Sequence, residues 1–240
     1  MTLEKQHPER PAQRRMAVNW PAAPVTFLLV DPSEPRAVQE WGEGAIDAVV
    51  VDLRTAAEQQ GMQTALAWAG KVLGAVRSTA DVQIWLRIHP ADHLAAAGYR
   101  DVLKDVQNLV DEADGVVLPE ARGVADAEAV LMLLGGGSVT ALLPVVPGDV
   151  PRAEIERLAE HPAVVRLAAS AERRRARLAS VSQAHGFAPP VNGLTPEPQD
   201  ACALMHDAVL ARGEGFGGQC VPDAALASDV RALYRDAGQN

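Results

Sequence analysis

Cysteine, long apolar runs and clustered positive charge are all scarce in this sequence of 240 residues. Its two cysteines, Cys202 and Cys220, are far apart and lack C-x-x-C spacing, which argues against a disulfide framework or a zinc site and is typical of the reducing cytoplasm. The net charge is −9, so no basic surface for nucleic acid or an anionic membrane is visible. No apolar run approaches the roughly 20 residues that span a bilayer. We therefore expect a cytoplasmic protein that binds neither nucleic acid nor membrane.

The N-terminal segment also lacks the apolar stretch that is found in signal peptides. It is polar and rich in proline, and we predict a flexible arm over residues 1–22. The remaining residues, 23–240, are long enough and apolar enough to form one domain with a large core, since 48% of the whole chain is hydrophobic.

From Val25 onward, short β-rich runs alternate with amphipathic helical stretches. The eight predicted strands span residues 25–30, 47–53, 82–88, 115–120, 140–146, 164–170, 189–194 and 217–221. The runs are almost entirely apolar, as in parallel strands covered by helices. Eight strands and eight helices in strict alternation predict an α/β fold, a (β/α)8 TIM barrel. A doubly wound open sheet is the alternative, but no glycine-rich turn follows the first strand.

In such a barrel the catalytic groups lie at the C-terminal ends of the strands. The candidates at these ends are Asp31, Asp52, Arg54, Arg87, His89, Asp92, His93, Glu120, Pro144, Pro147, Ser170, Glu172 and Asn192. Two glycine-rich segments, 134–138 and 213–218, precede strands instead. We interpret them as turns and close-packing sites rather than as phosphate-binding loops.

Arg87 lies inside the apolar run "IWLRIHP", where an unpaired guanidinium group would be costly. It is either a clamp for a substrate carboxylate or a member of an internal ion pair with Asp52 or Glu120, and one residue can do both. Glu120 is also a candidate general base, although an ion pair with Arg87 or Arg54 is favoured.

The segment "HPADH" brings His89, Asp92 and His93 close together in the sequence. These side chains are possible metal ligands. Pro90 interrupts regular structure, so a polar loop at the rim is favoured over a metal site. Cys220 is expected to pack as a small apolar residue.

Six segments, taken in order, resemble the citrate lyase β-subunit-like proteins of the HpcH/HpaI aldolase superfamily. They read "AIDAVVVDLRTA", "WLRIHP", "ADGVVLPEARGVADAEAV", "TALLPVVPGDVPRAEIERLAEHPAV", "RARLASVSQAHGFAPPVNGL" and "GFGGQCVPDAAL". The resemblance runs from about Val25 to the C-terminus. It implies a TIM barrel, usually trimeric or hexameric, that binds acyl-thioesters, often of coenzyme A. Such a barrel makes or breaks a C–C bond through an enolate stabilised by Mg²⁺.

The resemblance also implies two magnesium ligands at positions where this chain has other residues. A glutamate at the end of strand 5 falls on Pro144, and the arginine of the same motif falls on Pro147. An aspartate after strand 6 either falls on Arg173 or is lost with a deletion at this point of the chain. Because Mg²⁺ needs several oxygen ligands, we expect no metal cofactor. Arg87 and Asp52 are retained from the family's polar centre.

The resemblance and its departures together predict a catalytically degenerate family member. It would bind a carboxylated acyl-thioester or oxyacid, with Arg87, Asp52 and Glu120 as candidate catalytic residues and Arg87, His89 and Glu172 as candidate substrate-binding residues. We expect a homo-oligomer, such as a trimer, or a partner subunit beside an active paralogue. The alternatives are an active lyase or thioesterase with a rebuilt site, and a barrel that binds an unrelated small molecule.

Overall fold

Eight parallel strands close into a barrel in the computed structural model, which describes residues 23–31, 45–79, 82–90, 92–93, 102–135, 139, 141–169, 175–193 and 200–235. The strands β1 to β8 are Thr26–Val30, Ala48–Asp52, Gln83–Arg87, Gly115–Leu118, Leu142–Val146, Ala168–Ala169, Val191–Asn192 and Gly218–Val221. Each strand pairs in parallel with the next along the chain, and β8 pairs with β1. The predicted (β/α)8 barrel is therefore confirmed. The predicted arm, residues 1–22, lies outside the described residues.

Helices follow the strands on the outside of the barrel. The described α-helices, α1 to α8, are Leu53–Gln60, Met62–Thr79, Leu103–Glu112, Val124–Leu133, Arg152–Glu160, Arg175–Ala184, Ala201–Gly213 and Ala227–Arg235. Both α1 and α2 follow β2, separated by Gly61 at φ 83°. The helix expected between β1 and β2 falls on residues 32–44, outside the described part of the chain. Within that part, no helix combines the length and apolar character needed to cross a membrane.

Strands β6 and β7 are shorter than the sequence predicts, with two residues each. Pro189 and Pro190 directly precede β7, and because proline has no N–H group, neither can donate to a ladder. Ahead of β6, Val164 forms only an isolated bridge with Leu142. The barrel is thus most regular from β1 to β5, on the side where the polar side chains described below are found.

The hydrophobic core has an inner and an outer part. The inner part fills the barrel and includes Phe27, Trp85 and Leu143, whereas the outer part lies between the strands and the helices. Trp85 fits because its neighbour on β4 is Gly115. A Cβ atom at residue 115 would lie 2.5 Å from a Trp85 ring carbon.

A buried arginine closes the N-terminal end of the barrel. Arg166 is 1% exposed and donates from Nε to the Pro189 carbonyl at 2.6 Å and from Nη1 to the Pro24 carbonyl at 2.5 Å. Its guanidinium carbon lies 5.5 Å from the centre of the Phe27 ring. Burial lowers the pKa of Arg166 to about 9. A Cβ atom at either glycine of the pair 217–218 would lie within 3.5 Å of its Nη2, so this glycine-rich segment serves close packing, as predicted.

Two glycine substitutions test how the barrel is filled. We expect Gly115→Ala to lower the free energy of unfolding by about 1–3 kcal/mol, because the new methyl group would overlap Trp85. Gly74→Ala, in α2 with nothing within 4 Å of the new Cβ, is expected to raise it by about 0.5–1 kcal/mol. Urea unfolding of both variants measures the difference, and equal midpoints would contradict the packing described.

Candidate functional site

An ion pair lies where β2 and β3 end, at the C-terminal mouth of the barrel. Asp52 and Arg87 are the last residues of these strands and are opposite each other in the strand register. The Nη1 atom of Arg87 donates to Oδ2 of Asp52 at 3.0 Å, and both residues are at most 2% exposed. Val50 and Trp85, two residues earlier, belong to the barrel interior, so strand alternation turns Asp52 and Arg87 inward too. The predicted internal ion pair is confirmed, with Asp52 as the partner.

The Asp52 carboxylate is fully engaged by its own chain. Its Oδ1 accepts hydrogen bonds from the backbone N–H groups of Arg54 and Thr55, at 3.0 and 3.4 Å, which makes Asp52 the N-cap of α1. Its Oδ2 accepts from the Thr55 hydroxyl at 3.1 Å as well as from Arg87. An ionised carboxylate has about four lone-pair sites, and four donors occupy them here. The geometry therefore suits Asp52 to holding Arg87 in place, and less to binding a metal ion or accepting a proton.

Arg87, in contrast, has donor capacity left over. Its Nε has no hydrogen-bond partner among the described residues, and the same is true of the buried Nε of Arg54. Burial lowers the pKa of Arg87, while the Asp52 carboxylate raises it and the Arg54 guanidinium lowers it. A guanidinium fork matches the geometry of a carboxylate. Two buried guanidinium Nε atoms near the mouth thus lack an acceptor, and an anion is the kind of group that supplies one.

His89 follows Arg87 by two residues and is 3% exposed. Burial lowers the pKa of its imidazole, an effect that Glu58 opposes and that His93 and Arg54 reinforce. The ring of His89 is therefore neutral at neutral pH and can donate and accept hydrogen bonds without adding a positive charge. The His93 ring lies 6.1 Å away between centroids. Both Asp92 and His93 are exposed, as expected of a polar rim, but the structure describes them as helical and not as the predicted loop.

Glu120 lies two residues after β4 in a left-handed conformation, with φ 54°. This conformation is uncommon outside glycine. Its side chain is 62% exposed, and Oε1 is 3.6 Å from Nη1 of Arg54. Of the two ion pairs considered from the sequence, Glu120 therefore forms the one with Arg54. At this exposure the pair contributes little to stability, because water screens it.

The end of β5 offers no side-chain oxygen. Leu143 and Val145 face the barrel interior, so the alternation of the strand places Pro144 on the opposite, outer face. A metal ligand at the end of β5 would have to point into the barrel. The inward side chain there is that of Val145, whereas the family resemblance aligns the ligand with Pro144. Pro147 follows the strand. The next carboxylate, Asp149, is exposed and pairs with Arg122 at 3.0 Å.

Other predicted rim residues either fall outside the described residues or face away from the mouth. Ser170, Glu172 and Arg173 fall within residues 170–174, which are outside the described residues. Asn192 donates to Oδ2 of Asp207 on α7 at 2.7 Å, and therefore faces the outer helices.

Two buried arginines were missed by the sequence reasoning. Arg175, at the start of α6, pairs with Asp207 and also donates to the Asp207 carbonyl at 3.2 Å. The sequence does not distinguish Arg175 as a buried residue, because it lies in a run of four neighbouring arginines. Arg166 shares the sequence feature that pointed to Arg87, because it is a cation inside an apolar run. It lies before β6, however, and so at the N-terminal end of the barrel, away from the mouth.

The described residues do not fit a magnesium ion. Asp52 is saturated, Glu120 is exposed and paired, and β5 ends in apolar side chains. Arg87 and Arg54 place two positive charges in the same region. No group of three or more His, Cys, Asp or Glu side chains suited to a metal occurs within the described part of the chain. A hard cation needs more oxygen ligands than this arrangement supplies.

Comparison with known proteins identifies structural neighbours but no sequence relatives. No protein-family model matches the sequence, and no curated protein matches it. The fold is similar to that of RipC from Yersinia pestis, at TM-score 0.64 and 17% identity over 88% of this chain and 94% of that one. It is similar to a malate synthase from Haloferax volcanii, at TM-score 0.68 and 14% identity over 88% of this chain and 74% of that one.

The citrate lyase β subunit from M. tuberculosis, described in complex with oxaloacetate and magnesium, is a third neighbour. It superimposes with TM-score 0.63 and 18% identity, covering 89% of this chain and 98% of that one. At such identities the similarity establishes a shared fold. The chain thus has the barrel architecture of citrate lyase β-like proteins and malate synthases.

Proposed function

We propose that this chain is a citrate lyase β-subunit-like protein that binds a carboxylate-bearing ligand, an acyl-thioester or an oxyacid, without the family's magnesium-dependent lyase reaction. The observation that carries the proposal is the buried Arg87–Asp52 pair at the mouth of the barrel. Asp52 fixes the guanidinium group and leaves Nε of Arg87 for a ligand. The shared fold and the six sequence segments support the family assignment.

Charge balance supports a ligand of this class. Asp52 compensates one of the two arginines at the mouth, and Glu120 approaches the other only from a largely exposed position. An anion between Arg87 and Arg54 would add the second buried negative charge and fill vacant donors. Charge-assisted hydrogen bonds of this kind contribute about 1.5–3 kcal/mol each.

The names of two structural neighbours include specific carboxylate ligands. Oxaloacetate, in the M. tuberculosis structure, and glyoxylate, named for the Haloferax volcanii enzyme, are both carboxylates. Oxaloacetate is therefore a suitable first probe, followed by malyl-type and citramalyl-type thioesters of coenzyme A.

Binding of oxaloacetate tests the role of Arg87. We expect saturable 1:1 binding by calorimetry in the absence of metal. Loss of one charge-assisted contact of about 1.5–3 kcal/mol predicts that Arg87→Lys, which keeps the charge but loses the fork, raises Kd about ten- to hundredfold. Arg152→Ala removes an exposed, ion-paired arginine on α5 and serves as the control. Equal affinity in wild type and Arg87→Lys, with both folded by circular dichroism, would refute the assignment.

Magnesium titration tests the other half of the proposal. We expect no saturable heat when Mg²⁺ or Mn²⁺ is added up to millimolar concentration, because two arginines and an apolar β5 end surround the site. Oxaloacetate should bind equally well with and without EDTA. Sub-millimolar metal binding that strengthens oxaloacetate binding would contradict the proposal.

A thioesterase or lyase with a rebuilt site is the second candidate, and His89 favours it. A buried imidazole with a lowered pKa, two residues from Arg87, has the acid–base chemistry that a general base needs. Because its pKa is lowered, the base form persists below pH 6.5, where an ordinary histidine becomes protonated.

Assays with malyl-, citramalyl- and 3-hydroxy-3-methylglutaryl-type thioesters decide between the candidates. The binding-only proposal predicts turnover equal to background. Turnover that continues below pH 6.5 and disappears in His89→Gln would instead establish the second candidate. His185→Gln, a half-buried histidine just after α6, is the control.

A further inference from the structure

Glu120 has an uncommon backbone conformation that its neighbours impose. It is the one non-glycine residue with a positive φ angle, 54°, in the part of the chain that the structure describes. Pro119, which is buried, precedes it with a φ angle that the proline ring fixes. Ala121 follows it, is fully buried, and donates its N–H group to the Val145 carbonyl at 2.9 Å. The turn after β4 is thus held on both sides of residue 120.

The Glu120 side chain contributes little to the fold. A left-handed conformation disfavours most side chains and is better tolerated by Gly, Asn or Asp. The Glu120 side chain is 62% exposed, and its contact with Arg54, at 3.6 Å, is longer than a hydrogen bond and is screened by water. Strained residues of this kind are concentrated at active sites and ligand-binding sites. The turn that holds Glu120 lies at such a place, the mouth of the barrel.

The contact between Glu120 and Arg54 crosses the end of a third strand. Arg54 follows β2 and Glu120 follows β4, while β3 lies between these strands and ends in Arg87. The side chains become more exposed in the order Arg87, Arg54 and Glu120, at 3%, 21% and 62%. The Glu120 carboxylate is therefore the outermost of the three charges and lies on the solvent side of the two guanidinium groups.

The charge of Glu120 distinguishes ligands by the group at their outer end. When the buried guanidinium groups of Arg87 and Arg54 hold one carboxylate, the other end of the ligand lies on the solvent side, near Glu120. A second carboxylate there meets a like charge and competes with Glu120 for Arg54. An ester or a thioester at the same end is uncharged and is not repelled. Repulsion over about 4 Å in a wet environment weakens binding about five- to twentyfold.

We propose that Glu120 is a specificity-determining residue, which admits a ligand with one free carboxylate and an uncharged outer end and disfavours the free dicarboxylate. A dicarboxylic acid in which one carboxyl group is a thioester has this form. The selection rests on the proposed function, in which Arg87 and Arg54 hold the ligand carboxylate. It adds the distinction between a monothioester and its parent diacid, which the pair of Arg87 and Asp52 cannot make because it contacts one end only.

Malate and its 4-methyl ester, two ligands of similar size that differ by one charge, test this selection. By calorimetry in EDTA, we expect wild type to bind the monoester about five- to twentyfold more tightly than malate. Glu120→Gln keeps the size of the side chain and removes its charge, so it should tighten malate binding until the two Kd values agree within about twofold. Asp149→Asn is the matched control and should keep the wild-type ratio, because it removes an ion-paired carboxylate that is 68% exposed in the loop after β5.

The ratio of the two Kd values distinguishes failure of the selection from failure of the proposed function. If both ligands bind but the wild-type ratio is near one, or Glu120→Gln leaves the ratio unchanged, the selection is wrong and the proposed function stands. The same holds if Asp149→Asn changes the ratio as much as Glu120→Gln does. If neither ligand binds to wild type or to Glu120→Gln, both are wrong.

Thermal unfolding tests whether Glu120 is retained at the expense of stability. Asparagine tolerates the left-handed conformation, so Glu120→Asn should raise Tm by about 2–4 °C. Glu120→Gln relieves nothing in the backbone and should leave Tm nearly unchanged. A Tm for Glu120→Asn at or below that of wild type would show that the glutamate supports the fold, and would overturn its assignment as a residue kept for specificity.

Discussion

The buried ion pair between Arg87 and Asp52 is the constraint on which the mouth of the barrel depends. Two charges removed from water are tolerated only when each is well bonded, and loss of one partner typically costs about 3–5 kcal/mol. The parallel register sets these residues side by side, and the N-cap of α1 fixes the carboxylate. Strand pairing, helix capping and ion pairing thus determine one position for the guanidinium group.

This constraint also limits the chemistry that the described residues of the mouth can support. A carboxylate that accepts four hydrogen bonds cannot also serve a magnesium ion, and nearby Arg54 adds a further positive charge. At β5, the inward residues are apolar. The same arrangement that disfavours a cation favours an anion, since Nε of Arg87 and Nε of Arg54 have no partner among the described residues.

Much of the fold is encoded locally and can be predicted from the sequence. Apolar runs and amphipathic stretches give the strand order, and an arginine within "IWLRIHP" indicates a buried ion pair. The direction of side chains at strand ends is harder to predict, because an error of one residue in the alignment turns every side chain of the strand to the opposite face. Pro144 was matched to an inward metal ligand, whereas Val145 holds the inward position, and Asn192 faces α7 instead of the mouth. The role of Arg166 depends on carbonyl groups at Pro24 and Pro189, far away in the sequence.

A crystal structure of the protein grown with both oxaloacetate and magnesium tests the central claim most directly. We expect a carboxylate group of oxaloacetate on the Arg87 guanidinium, with the Arg87–Asp52 pair intact and no metal ion beside it. A magnesium ion seated in the mouth and coordinated by side chains of this chain would contradict it.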